Sequence, residues 1–224
     1  MSVRVVARIR PLQNTEREAD VILHTASSSS SRTVKGGFPD NVVKIPIPKN
    51  ETQDYSFQFH SVYGPNVTQE ELFDAEVAPT IKHLFAGFDV TVFAYGVTGT
   101  GKTHTMRGGG SPESRGVIPR LLSGMHKHAK RMEIESEGET KVDLLMSYYE
   151  IYNDKVFDLF EDPDKRTPLG LPLREAGGGK TVVVGLTERQ CSSLKEFEVM
   201  YDQANENRST GATKVGLPTL KFVA

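Results

Sequence analysis

An α/β fold is predicted for this chain by three observations. Short β-branched runs alternate with segments of helical periodicity along its length, a glycine-rich turn joins an apolar run to a helical start, and no internal repeat is visible. With 224 residues, 37% hydrophobic and 25% charged, the chain is large enough for one sizeable domain. Its formal net charge of −2 predicts no general affinity for nucleic acid or for an anionic membrane. The single cysteine, Cys191, excludes an internal disulfide and fits a reducing compartment. No apolar run approaches the roughly 18 residues of a membrane span. The arginines of Met1-Ser-Val-Arg-Val-Val-Ala-Arg-Ile-Arg-Pro11 are unlike a secretory leader, so the chain reads as soluble and intracellular.

Each element has a local cause. Val3–Ile9 is β-branched and apolar and is closed by Pro11, which predicts an opening strand. The serine run that follows Ala26, then Gly36-Gly37 and Pro39, predicts a surface loop, and Val42–Ile47 and Tyr55–Phe59 predict two short strands. Thr68 with Glu71 three residues on forms a capping box. It opens a helix whose Leu72, Phe73, Val77, Ile81, Leu84 and Phe85 share a face, with a kink expected at Pro79 and an end at Gly87. Asp89–Tyr95 predicts a buried strand running into the glycines. Further on come a helix near Pro119–Met132 burying Leu121, Leu122, Met125 and Ala129, a strand over Val142–Tyr149, and a turn at Asn153-Asp154. Pro168–Gly179 reads as loop with short extended pieces, Thr181–Val184 as strand, and Ser193 with Glu196 as the start of a last helix carrying Phe197, Met200, Tyr201 and Ala204.

Gly96-Val97-Thr98-Gly99-Thr100-Gly101-Lys102-Thr103 fits the phosphate-binding pattern G-x-x-x-x-G-K-[ST] at every position. Glycines let the main chain wrap closely enough for several N–H groups to converge on phosphate oxygen. Lys102 neutralises charge between the β- and γ-phosphates, the Thr103 hydroxyl suits Mg²⁺, and the following helix start adds its dipole. A plain glycine-rich turn beside a solvated lysine is the competing reading, and the flanking strand and helix signals argue against it. Arg107-Gly-Gly-Gly110 interrupts the helix after one turn, which an ordinary phosphate-loop enzyme does not do.

Together with its flanks, this loop resembles the kinesin motor domain. The segments that carry the resemblance are Val5–Leu12, Phe59–Gly64, Asn66–Glu70, Phe93–Met106, Gly116–Arg120, Ser147–Asp154 and Asn207–Thr213, in the family's order. The pieces after the loop resemble the chromokinesin branch. The resemblance implies a P-loop NTPase with a kinesin-type central mixed sheet flanked by helices, C-terminally incomplete. Residues 1–213 would be the N-terminal portion of a motor domain and 214–224 a tail departing from the pattern. It implies ATP and Mg²⁺ as cofactors, Arg8, Arg10, Pro11 and His104 bordering the adenine, and Thr103 on the metal. It also implies microtubules (tubulin) as partner and a cytoplasmic, cytoskeletal location on microtubules or spindle.

Kinesins supply the γ-phosphate sensor and water-positioning groups from Asn-x-x-Ser-Ser-Arg-Ser-His and Asp-Leu-Ala-Gly-Ser-Glu, and the first is expected almost directly after Thr213. The sequence reads Lys214-Val-Gly-Leu-Pro218 there, an extended piece that Pro218 is expected to break. Ser30-Ser31-Arg32-Thr33 is a poor imitation far upstream, and Asp158 is not expected to support magnesium. No catalytic residue is assigned. Two readings stay open: a microtubule motor whose hydrolysis drives movement, and a nucleotide-binding remnant without efficient hydrolysis or microtubule binding. The basic run His126–Arg131 reads as a solvated helix face, and an apolar edge is expected to lie exposed around Val90–Phe93.

Overall fold

The computed structural model describes residues 3–16, 22–26, 41–48, 50–208 and 217–223. The serine-rich run after Ala26, the Ser30–Thr33 imitation and the boundary expected at residue 213 lie outside them. The chain divides into two compact units, one of 1–77 with 92–117 and one of 78–91 with 118–224.

The first unit opens on β1 (Val6–Arg8), shorter than the run that predicted it. β2 (His24–Ala26), β3 (Val42–Ile47) and β4 (Asn50–Gln58) form an antiparallel sheet in that order. β5 (Ser61–Tyr63) lies parallel to β1, with Val6 opposite Ser61 and Arg8 opposite Tyr63. α1 (Gln69–Glu76) starts at the predicted capping box: Thr68 Oγ1 accepts the Glu71 N–H at 3.1 Å and Glu71 Oε2 accepts the Thr68 N–H at 2.8 Å. Leu72, Phe73 and Val77 are buried with Val62 and Tyr63. Glu76 at the end of α1 takes hydrogen bonds from Arg4 and from the Tyr63 hydroxyl. Burial alone would raise its pKa, but these two donors hold the carboxyl below its ordinary range.

The helix predicted to kink at Pro79 does so through a 3₁₀ turn at Ala78–Thr80, which leads into α2 (Ile81–Phe85) of the second unit. Gly87 ends it, its N–H reaching Leu84 O at 3.0 Å. In the first unit, α3 (Lys102–Met106) is the single turn foreseen before the glycine run. The loop after it closes on itself, with Gly116 N donating to Arg107 O at 2.8 Å.

In the second unit, α4 (Val117–Glu135) is longer than predicted and buries Leu122, Met125 and Ala129 along one face, with Leu121 only half-buried. Lys127, Lys130 and Arg131 of its basic run are solvated as expected. His128 instead packs on Phe85 with ring centroids 4.4 Å apart. β6 (Leu145–Tyr152) and β7 (Lys155–Asp158) form a hairpin through Asn153 and Asp154, both with positive φ, the geometry a two-residue turn between twisted strands requires. β8 (Leu173–Ala176) and β9 (Lys180–Val183) make a separate exposed hairpin, and β10 (Arg189–Gln190) pairs with the start of β6. α5 (Leu194–Glu206) is capped by Ser193. Its Phe197 and Tyr201 stack with centroids 5.2 Å apart, and Tyr201 meets Tyr148 of β6 at the same spacing. Cys191 is 1% exposed; its N–H donates to Leu144 O at 2.8 Å and its sulfur lies 3.9 Å from His126 Nε2.

Two expectations are corrected. Pro218 does not break the terminal segment: β11 (Leu217–Val223) runs antiparallel to β6 from Leu217 opposite Ile151 to Val223 opposite Leu145. Pro218 sits second in a strand that edges its sheet, the setting in which a missing N–H is tolerated. Asp89–Tyr95 is neither a strand nor buried, with Phe93 69% and Tyr95 91% exposed. A strand exists only against a hydrogen-bonded neighbour, and no described strand pairs with this segment. Apolar exposure is therefore present at Val92, Phe93 and Tyr95, but not as the sheet edge expected, and Val90 is half-buried.

Asp158 is buried at the end of β7, and its two oxygens accept the N–H groups of Phe160 and Thr187, both at 2.8 Å. Both oxygens are thus engaged in structural hydrogen bonds. Asp158→Ala would orphan both amides at about 1–3 kcal/mol each, measurable as a lowered midpoint in urea unfolding. For the exposed segment, burial of each ring on self-association is worth about 1.5–3 kcal/mol. The double substitution Phe93→Lys with Tyr95→Lys should therefore raise the concentration at which sedimentation velocity first detects association, by at least about tenfold.

Candidate functional site

The loop 96–103 is shaped by its glycines. Gly96 has φ +152°, and a Cβ there would fall 2.6 Å from Thr100 Oγ1; Gly101, with φ +92°, caps α3 in a left-handed conformation. Thr100 N–H and Oγ1 both donate to Val97 O, at 3.3 and 2.8 Å. Lys102 folds back across the mouth, its Nζ donating to Gly96 O at 2.7 Å and Val97 O at 2.8 Å. Val97, Thr98, Gly99, Thr100 and Thr103 are exposed. An ammonium resting on two neutral carbonyls beside an exposed glycine-rich main chain is a donor set that a polyphosphate satisfies. These residues therefore fit a nucleoside triphosphate with Mg²⁺.

The residues expected around the base divide. Arg10 lies beside the loop's end, since a Cβ on Gly101 would sit 3.9 Å from Arg10 Cδ; Pro11, next in sequence, is exposed. Arg10 is aimed by Glu16, to which its Nη2 donates at 2.6 Å, and Glu16 Oε2 in turn accepts the Gln13 N–H at 2.8 Å. The Arg10 hydrogen bond, ahead of the Gln13 one, holds the Glu16 carboxyl below its usual range. Arg8 is half-buried, and its donors are engaged: Nη1 with Gln69 Oε1 at 2.7 Å and Thr105 Oγ1 at 3.0 Å, Nη2 with Val67 O at 3.4 Å. In this geometry it holds α1 against α3.

His104 is exposed at its ring but anchored at one edge. Gln69 Nε2 lies 3.0 Å from its Nδ1 and 2.6 Å from its carbonyl oxygen. Burial, then the positive charge of Arg8, push its pKa down from 6.5. Gln69, Thr105 and Glu16 are the site-supporting residues that sequence reasoning missed. The only signal for Gln69 was its position as the first residue of a capped helix, where a long amide is ordinarily solvated. Among the described residues no group of three or more His, Cys, Asp or Glu side chains is placed to hold a metal.

Comparison with known proteins gives a consistent result. A family model described as the kinesin motor domain matches residues 8–217. The chain is 36% identical over 214 residues to mouse (Mus musculus) kinesin-like protein KIF22, covering 95% of this chain and 30% of that protein. It is 33% identical to the Drosophila melanogaster kinesin heavy chain, covering 96% and 20% respectively. The chain thus spans less than a third of the length of these relatives. A solved fast kinesin, whose report concerns its ATPase mechanism and interactions with microtubules, superposes with a TM-score of 0.78 at 27% identity, covering 99% of this chain and 59% of that one. The predicted α/β phosphate-loop fold agrees with that similarity.

The depressed His104 has a consequence for stability. Below its ordinary 6.5 the unfolded chain binds a proton that the native ring resists, so stability is full above 6.5 and declines as pH falls toward the lower native value. His126 acts in the same direction, through burial offset by Glu196. His104→Gln should flatten the fall in urea midpoint just below pH 6.5, a window above that of Glu76, whose ordinary value is 4.5.

Proposed function

Because the chain belongs to the kinesin motor domain family, we propose that its loop 96–103 binds ATP with Mg²⁺, within a motor that couples ATP hydrolysis to movement along microtubules. The observation that carries the reading is Lys102 held at 2.7 and 2.8 Å on two carbonyls of a loop whose Gly96, Gly99 and Gly101 all have positive φ. An incoming triphosphate offers that ammonium anionic oxygens in place of neutral ones, adding opposite-charge attraction to bonds that are already charge-assisted. Main-chain amides of 96–101 cradle the phosphates, and Thr103 supplies the protein oxygen for Mg²⁺, which neutralises charge on the β- and γ-oxygens when bound. Arg8, Arg10, Pro11 and His104 border the base, Arg8 also holding Gln69 and Thr105. The partner is tubulin in the microtubule, and the location is cytoplasmic, on microtubules or spindle. No helix among the described residues is long and apolar enough to cross a membrane.

A second reading is favoured by the segment after Thr213. Where the family's switch serines are expected, the sequence reads Lys214-Val-Gly-Leu-Pro218, and its continuation is laid along β6 as β11. In that reading the 224-residue chain binds nucleotide without efficient hydrolysis or microtubule binding.

Calorimetric titration with Mg·ATP tests the first step. Lys102→Ala removes charge-assisted bonds worth about 1.5–3 kcal/mol, so affinity should fall by roughly ten- to a hundredfold. No heat from folded wild-type protein would refute nucleotide binding. Phosphate release with and without microtubules separates the two readings: stimulation above the Lys102→Ala level supports the motor, and equality with it supports the remnant.

A further inference from the structure

The contacts around Gln69 form a chain in which every donor and acceptor is determined. Gln69 is 6% exposed, so its amide has little access to water and must satisfy itself within the protein. An arginine only donates, so the atom facing Arg8 Nη1 at 2.7 Å is the carbonyl oxygen, Oε1. A main-chain carbonyl only accepts, so the atom 2.6 Å from His104 O is the amide nitrogen, Nε2. The two partners fix the same orientation of the amide independently, which removes the ambiguity that side-chain amides ordinarily carry. The same Nε2 lies 3.0 Å from His104 Nδ1, with Ser114 O a more distant 3.4 Å away. A proton on Nδ1 would set N–H against N–H, so the ring nitrogen facing Gln69 must present its lone pair.

We propose that Gln69, oriented by Arg8, is a positioning residue that fixes His104 as the neutral tautomer with its proton on Nε2, so that the exposed ring offers a single N–H donor to an acceptor nitrogen of a purine base. The tautomer follows from the protein's own contacts; its use toward a base rests on the nucleotide reading given above. Thr105 completes the arrangement: its hydroxyl takes a second Arg8 donor at 3.0 Å, so the guanidinium is held by α1 and α3 together.

The test is ¹⁵N NMR of the full 224-residue chain with labelled histidine, without nucleotide, at neutral pH. The protein has six histidines, and loss of one signal set in His104→Gln identifies the ring. The expected result is a pyridine-type Nδ1 and a pyrrole-type Nε2, with the Nε2–H form in at least about tenfold excess. Gln69→Glu keeps an acceptor for Arg8 but turns the second terminal atom into an acceptor. It should move the proton to Nδ1. Gln69→Leu, which removes the amide altogether, should yield a mixture of tautomers, and it serves if the Glu variant fails to fold. An Nδ1–H ring or a mixture in the wild type overturns the proposal, as does an unchanged His104 spectrum in a folded variant. Because the spectrum is read without nucleotide, failure of ATP to bind would leave the tautomer result standing and remove only its use toward a base.

Discussion

Arg8 can donate hydrogen bonds but cannot accept one, and the arrangement behind the phosphate loop follows from that asymmetry. Its guanidinium lies at the end of β1 and reaches the first residue of α1, the turn before it at Val67 and the α3 side chain of Thr105. Gln69 passes the constraint on to the backbone and ring of His104. The first turn after the loop is thereby tied to two other elements by side chains alone, although α3 itself is five residues long. A helix that short has almost no stability of its own, so what holds it in place is the network beside it and the chain that closes after it at Gly116. The same logic operates at Glu76, where two donors offset the cost of burying a carboxylate.

What could be read from the sequence was what short-range chemistry determines. The Gly96–Thr103 pattern, the Thr68–Glu71 capping box, the Asn153-Asp154 turn and the end at Gly87 each depend on residues within a few positions of one another, and each is found. The apolar face of α4 was legible too, because helical spacing alone places Leu122, Met125 and Ala129 together. Element ends were less so: β4 begins at Asn50 rather than Tyr55, since its extent is set by register against β3. Gln69 was invisible because its role depends on partners at positions 8, 104 and 105. No local signal distinguishes a buried amide at a helix start from a solvated one.

The segment before the loop shows the limit from the other side. Asp89–Tyr95 has the composition of an interior strand, yet composition states only what a segment suits. Pairing decides what it becomes, and Phe93 and Tyr95 stand out in solvent for want of a ladder. The opposite happens at Leu217–Val223, where a proline near the start did not prevent pairing because β6 had an edge to offer. In both cases the neighbour outweighed the propensity.

Cys191 carries a practical consequence. Burial pushes its thiol up to about 11, and at 1% exposure little of the sulfur is open to a reagent. Thiol-directed dyes and spin labels attack through the thiolate, so this lone native cysteine is silent toward them at neutral pH. A cysteine introduced on any exposed position would then be derivatised by itself, making the unaltered chain a ready background for distance measurements by fluorescence or electron resonance.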